Sequence, residues 1–263
     1  MKRAVLFDLD DTLLEYRQPP NARALFDAGT ARIYACLTSL GCALPAFEPF
    51  ARRQRAIARR IAWATWLTRS HPDGRRLLRR LCSDYRLQRD EGSLAKLGWL
   101  WYEPAADAMV LGADVIPTLS ALRDAEVKLA LVVNTPHLGA VIDQHLESVG
   151  LLEFFPVRVY SSEIEASKPS PRPFQTALEQ LGASANEAIF VGDDATIDLA
   201  GAKRVGLQTV LRSADPRPRD RRFADHVIER IEQLLDIFQL VVEHTSERSM
   251  PLPPLKVPAT SLR

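Results

Sequence analysis

Five short apolar runs, spread along 263 residues, most constrain how this chain can fold. Residues 3–7, KLALVV at 128–133, VRVYS at 157–161, AIFVG at 188–192 and LQTVL at 207–211 each have the length of one strand. The run before Asp8 lacks polar alternation, so a strand there must be covered on both faces. Helix-like stretches stand between the later runs: TLSALRDAE after Pro117, AVIDQHLESVG, PFQTALEQLG and IDLAGAKRVG. Strands alternating with helices of this length predict parallel βαβ units, hence an α/β fold built on a parallel sheet. Sites in such sheets lie at the C-terminal ends of the strands.

Residues 16–107 break the rhythm. After Gln18-Pro19-Pro20 the segment is almost all helix-compatible, and it predicts a helical insert between the first strand and the rest of the sheet. Residues 1–15 and 108–242 are then the core. Residues 51–90 hold 12 Arg against 3 Asp, a net of +9; the whole chain is at +1, so the remainder carries −8. Arg52, Arg55 and Arg59 share a helical face, as do Arg76 and Arg80. Ile57, Ile61 and Ala64 form a row expected to face a core, with Trp63 and Trp66 nearby. The arginines read either as a solvated face or as a basic surface that draws an anionic ligand inward. No nucleic-acid-binding motif accompanies them, which argues against a nucleic-acid partner. Residues 243–263 include four prolines within 251–258 and predict an extended, poorly ordered tail.

Cys36, Cys42 and Cys82 are odd in number and lack metal-ligand spacing, so they read as reduced thiols of a cytoplasmic protein. Four apolar residues separate Arg3 from Asp8, too few for a signal-peptide core, and no run approaches the length of a membrane span. His71, His137, His145, His226 and His244 share no spacing and read as non-catalytic. A monomer or homodimer is expected.

The chemistry gathers where strands stop. Asp8, Asp10 and Asp11 fall within four positions of MKRAVLFDLDDTLLEY. Carboxylates held together at a strand end repel, and their pKa values rise unless a cation sits among them. A hard divalent cation meets that need, and Mg2+ typically takes one or two carboxylates plus phosphate oxygens. A second acidic strand end follows in VGDDATID, with Asp193, Asp194 and Asp198, and SSEIEASKPSPRPF brings Lys168 ahead of a helix. Two acidic strand ends and one lysine suit a phosphate dianion on a metal.

In this order the motifs resemble those of the haloacid dehalogenase (HAD) superfamily. FDLDDT is similar to its first motif, Lys168 in SKPSPRPF to its third, and GDDATID to its fourth. The resemblance spans roughly residues 3–230 and implies a Rossmann-like parallel core with an inserted α-helical cap, residues 16–107. It implies Asp8 as the nucleophile that forms an aspartyl phosphate, and Asp10 as general acid and base. It implies Mg2+ held by Asp8, the main-chain carbonyl of Asp10, and Asp193. Lys168 would neutralise Asp8 and the transferring group, Asp198 would position Lys168 or a metal-bound water, and Thr12 would brace the loop at the substrate. The dehalogenase branch lacks the second aspartate, so Asp10 favours phosphoryl transfer.

The second motif departs from the family. Its strand should end in a Ser or Thr that binds the phosphoryl group, but Val133 stands there in KLALVVNT. Asn134 or Thr135 is expected to supply the missing donor. The implied activity is that of a Mg2+-dependent phosphatase acting on a small phosphorylated metabolite. A phosphomutase, or a catalytically weakened interaction protein, remains an alternative.

Overall fold

A computed structural model describes residues 2–68, 74–88 and 90–239. The expected tail, together with His71 and His244, lies outside the described residues, as do the side chains of Ala64 and Trp66. The chain opens with β1 (Ala4–Phe7) and a tight turn into β2 (Leu14–Tyr16). Four helices follow: α1 (Ala22–Ser39), α2 (Phe47–Thr68), α3 (Arg75–Asp84) and α4 (Glu91–Ala108). β3 (Met109–Leu111) then pairs antiparallel with β2, so both ends of the helical segment meet in one short ribbon.

Beyond it come α5 (Val115–Asp124), β4 (Lys128–Val133), α6 (Gly139–Ser148), β5 (Val157–Tyr160), the single turn α7 (Ser161–Ile164) and α8 (Pro171–Leu181). β6 (Ala188–Gly192), a π-helical turn (Ala195–Leu199), α9 (Ala200–Arg204), β7 (Gln208–Arg212), α10 (Pro218–Arg221), β8 (His226–Ile228) and α11 (Leu234–Phe238) complete the described chain.

The main sheet runs β5-β4-β1-β6-β7-β8, and every described pairing in it is parallel. From β1 the chain builds outward through β4 to β5, then returns to β6 on the other side. That reversal falls beside β1, the position at which open parallel sheets bind ligands at their strand ends. Both faces are covered, as the unbroken apolar runs required. Along β4, Leu129, Leu131 and Val133 join one apolar cluster while Ala130 and Val132 join the other.

Three strands escaped the sequence reading. β2, β3 and β8 are each three residues long, too short for a period to register. The stretch IDLAGAKRVG also begins differently from expectation, because its first turn is π-helical.

The helical segment is joined to the core by contact as well as by chain. The first apolar cluster runs from Ile33, Leu37, Phe50, Leu78 and Leu94 through to Leu119 and Val141 without a break. Tyr102 on α4 bonds through its hydroxyl to His145 Nδ1 on α6 at 2.9 Å, and its ring centre lies 4.8 Å from that of His137. Two histidines with no shared spacing thus meet around one tyrosine. Burial pushes both imidazoles down to about 4, so they are neutral near pH 7.

Burial fades along α2. Phe50 and Gln54 are buried, Ile57 and Ile61 only half-buried, and Trp63 is 63% exposed. The expected core-facing row is therefore only partly covered. Several arginines of the basic stretch are paired locally: Arg53 with Asp84, Arg55 with Asp27, and Arg75 with Glu91. Asp27 and Glu91 lie outside residues 51–90, so the excess charge of that window overstates the charge of the surface.

Gly29 on α1 marks the closest approach to α4. A Cβ there would lie 2.3 Å from both the Trp101 carbonyl oxygen and its ring. Backbone cannot yield as a flexible side chain does, and overpacking of this kind costs about 1–3 kcal/mol. Gly29→Ala is expected to lower the unfolding free energy read from urea denaturation by that amount; an unchanged value would show that α1 and α4 are free to separate.

Candidate active site

Asp8 follows the last residue of β1, and its N–H donates to Val191 O at 2.9 Å, so the central pairing carries it to the sheet edge. Lys168 arrives from the loop between α7 and α8, joined to Pro169 by a cis peptide bond. Its Nζ lies 2.5 Å from Asp8 Oδ1 and 2.8 Å from Asp198 Oδ1, with 1% of its side chain exposed. Asp193 follows β6, and one carboxylate oxygen from each of Asp8, Asp193 and Asp198 lies within 4.8 Å of the other two. The structure brings together four of the residues singled out in the sequence.

Local chemistry explains each placement. Asp194 accepts from Thr196 N, Ile197 N and the Thr196 hydroxyl, capping the turn that follows β6. That turn is π-helical, a wide form found mostly at functional sites. It aims Asp198 back at the strand end: a Cβ on Gly192 would meet Asp198 Oδ2 at 2.5 Å. Gly192 is therefore the residue that lets the carboxylate reach Lys168.

The electrostatics favour a cation. Burial pushes the Lys168 ammonium down, but Asp198 and Asp8 together outweigh it and hold it charged, above its ordinary range. One lysine does not balance this many carboxylates. Burial raises Asp8, with Lys168 opposing and Asp10 adding repulsion. Burial, then the charges of Asp8 and Asp198, push Asp193 up to about 7. Burial also pushes Asp198 up to about 6, with Asp8 repelling it and Lys168 opposing. Asp10 is solvent-exposed, yet lost hydration around its carboxyl, with the charge of Asp11, pushes it up to about 6. The donors are all carboxylate oxygens, the set a hard divalent cation takes, so these residues fit such an ion.

The second motif is tied to its neighbours. Val133 is 3% exposed and lies in the apolar cluster. Asn134 brackets the Lys168 backbone: one N–H of its Nδ2 donates to Lys168 O at 3.0 Å and its Oδ1 accepts from Lys168 N at 2.9 Å. The Thr135 hydroxyl accepts from His137 N at 3.1 Å. Thr12 is fully buried, and its hydroxyl has no hydrogen-bond partner among the described residues. The loop itself is held by three consecutive residues after β5. Ser161 Oγ accepts from Thr135 N, Ser162 Oγ donates to His137 O, and Glu163 accepts from Gly139 N. Sequence reasoning missed this clamp, whose only signal was a polar SSE run at a strand end.

These contacts separate the roles of neighbouring residues. Asn134→Ala removes both bonds that fix the Lys168 backbone and is expected to lower kcat/KM by about 10-fold or more, since each such bond is worth roughly 1 kcal/mol and positioning adds to it. Val133→Thr is expected to change kcat/KM by less than about 5-fold, because its surroundings are apolar. Steady-state kinetics of the two variants check both; a large gain from Val133→Thr would show that the site lacks a phosphate donor.

Comparison with known proteins agrees with this geometry. The family model for haloacid dehalogenase-like hydrolases matches residues 2–206. The ribulose-1,5-bisphosphate 5-phosphatase of Halopiger xanaduensis is 32% identical over 248 residues, covering 90% of this chain and 99% of that one. The glyceraldehyde 3-phosphate phosphatase of Methanopyrus kandleri is 32% identical over 245 residues, covering 90% and 97%. The crystal structure of a HAD phosphatase from Thermococcus onnurineus aligns with a TM-score of 0.59 at 26% identity, covering 90% of this chain and 98% of that one. With its motifs at successive strand ends and a family match across most of its length, this chain belongs to the haloacid dehalogenase-like hydrolases.

Proposed function

We propose that the chain is a Mg2+-dependent phosphatase that hydrolyses a small organic phosphate monoester through an aspartyl phosphate on Asp8. The observation that carries this reading is the buried contact of Lys168 with Asp8 and Asp198, beside Asp193. Asp8 attacks phosphorus, and Asp10 gives a proton to the leaving oxygen as the P–O bond breaks. Asp10 then takes a proton from the water that attacks the aspartyl phosphate, releasing phosphate and restoring Asp8. A carboxyl pushed up to about 6 is better matched to both transfers near neutral pH than an ordinary one. Lys168 offsets charge on Asp8 and on the transferring group. Asp8, the main-chain carbonyl of Asp10, and Asp193 would hold Mg2+, which when bound neutralises phosphate charge and helps orient the group.

Residues 16–107 serve as a cap over the core, formed by 1–15 and 108–242, and exclude water from the site. The relatives named as sugar-phosphate phosphatases support a small phosphorylated metabolite as substrate. No described helix is long and apolar enough to cross a membrane, and the three unbridged cysteines suit the cytoplasm. A haloacid dehalogenase from Pseudomonas syringae shares the fold at 22% identity, but Asp10 favours phosphoryl transfer. The Val133 position keeps one rival open, a weakened interaction protein.

Asp8→Asn is expected to abolish hydrolysis of p-nitrophenyl phosphate and of a metabolite panel while leaving the circular dichroism spectrum unchanged. Near-wild-type turnover in that variant would sink the mechanism. Chelation should silence the wild-type enzyme, and added Mg2+ should restore it.

A pH test follows from the raised carboxyls. Protons compete with a cation for these oxygens. Asp193 at about 7 and Asp198 at about 6 release theirs as pH rises. The upward shift in Tm caused by Mg2+ is therefore expected to be small at pH 5 and to grow towards pH 8. A shift independent of pH would place the ion elsewhere.

A further inference from the structure

Arg212 closes β7, two strands from β1, and its guanidinium reaches across to the turn that follows Asp8. Nη1 donates to the Asp11 carbonyl at 2.9 Å, and Nη2 pairs with the Glu15 carboxylate on β2. Asp11 has a left-handed backbone, φ 55°, a turn conformation uncommon outside glycine that Asp tolerates better than most residues. Inside the turn, Asp11 N donates to Leu14 O at 2.7 Å, and the N–H groups of Leu13 and Leu14 both donate to Leu9 O. Asp10 lies within this knot, between the residue that accepts those bonds and the residue that Arg212 grips.

The contact is poorly explained as a source of stability. The Glu15 side chain is 45% exposed and that of Arg212 16%, so water still screens one end of the pair and weakens it. Its geometric effect is larger. One side chain ties the turn that carries Asp10 both to the sheet and to the strand that leads into the helical segment.

We infer that Arg212 is a positioning residue for the proposed reaction: it holds the turn so that Asp10 meets the leaving oxygen, and it touches no substrate itself. The inference rests on the phosphatase reading. A residue that acts through the proton donor matters only as far as the leaving group needs a proton. As the bond from Asp8 to phosphorus forms and the P–O bond breaks, a p-nitrophenolate leaves unaided. A benzyl alkoxide must take the proton of Asp10.

The test compares p-nitrophenyl phosphate with benzyl phosphate, each with Mg2+, on the full chain. Arg212→Met keeps the aliphatic stem and removes both donors. It is expected to lower kcat/KM about 10-fold or more on benzyl phosphate and less than about 3-fold on p-nitrophenyl phosphate, within the range of general acid catalysis. Added to Asp10→Asn, it should change the remaining rate on either substrate less than about 2-fold, because the two act as one unit. Arg212→Lys, which reaches one acceptor at a time, should fall between wild type and Arg212→Met, and it is read in its place if the latter does not fold. Equal losses on both substrates, full additivity with Asp10→Asn, or no loss at all would each overturn the inference. A wild-type chain inactive on both esters would overturn the phosphatase reading and this inference with it. An active wild type with an unselective Arg212→Met would overturn this inference alone.

Discussion

A charged lysine buried at the meeting of several strand ends sets the terms for its surroundings. With 1% of its side chain exposed, the Lys168 ammonium has lost its hydration, and such a charge persists only when paired and bonded. Asp8 and Asp198 supply the pairing from β1 and from the turn after β6. Removing one partner from a buried pair of this kind costs about 3–5 kcal/mol. Much nearby architecture serves that contact. Asn134 brackets the Lys168 backbone, the π-helical turn aims Asp198, and Gly192 leaves room for it.

The same cluster carries more negative than positive charge. Asp193 joins Asp8 and Asp198 in one small volume; burial raises all three, with repulsion from Asp8 adding at Asp193 and Asp198 and repulsion from Asp10 adding at Asp8. A site that is unfavourable to its own carboxylates is favourable to a cation, and occupation of the folded state stabilises it by mass action. Asp10 stands apart from that cluster. It is exposed, on a turn held from β7 by Arg212, whereas Asp8 and Asp198 are buried.

Legibility in the sequence followed signal length and locality. β1, β4 and β6 were readable because four or five consecutive apolar residues leave little other choice. Asp8 and Asp193 were readable because each follows such a strand, and Lys168 because it precedes a helix between them in a known order. β2, β3 and β8 were not, since three residues carry no usable period. The basic stretch misled for a different reason. Its charge was counted along the chain, whereas Arg55 finds Asp27 on another helix and Arg75 finds Glu91.

The sequence by itself determined the α/β class, the covered parallel sheet and the acidic strand ends, because periodicity and residue type act over a few neighbouring positions. Only the tertiary structure decided that Asn134 holds the Lys168 backbone. It also decided that the Thr135 hydroxyl serves the His137 N–H, and that Arg212, 201 positions from Asp11, steadies the turn around Asp10. Hydrogen bonds form between atoms about 3 Å apart in space, whatever their separation in the chain. A donor's partner is set by the folding of the whole sheet.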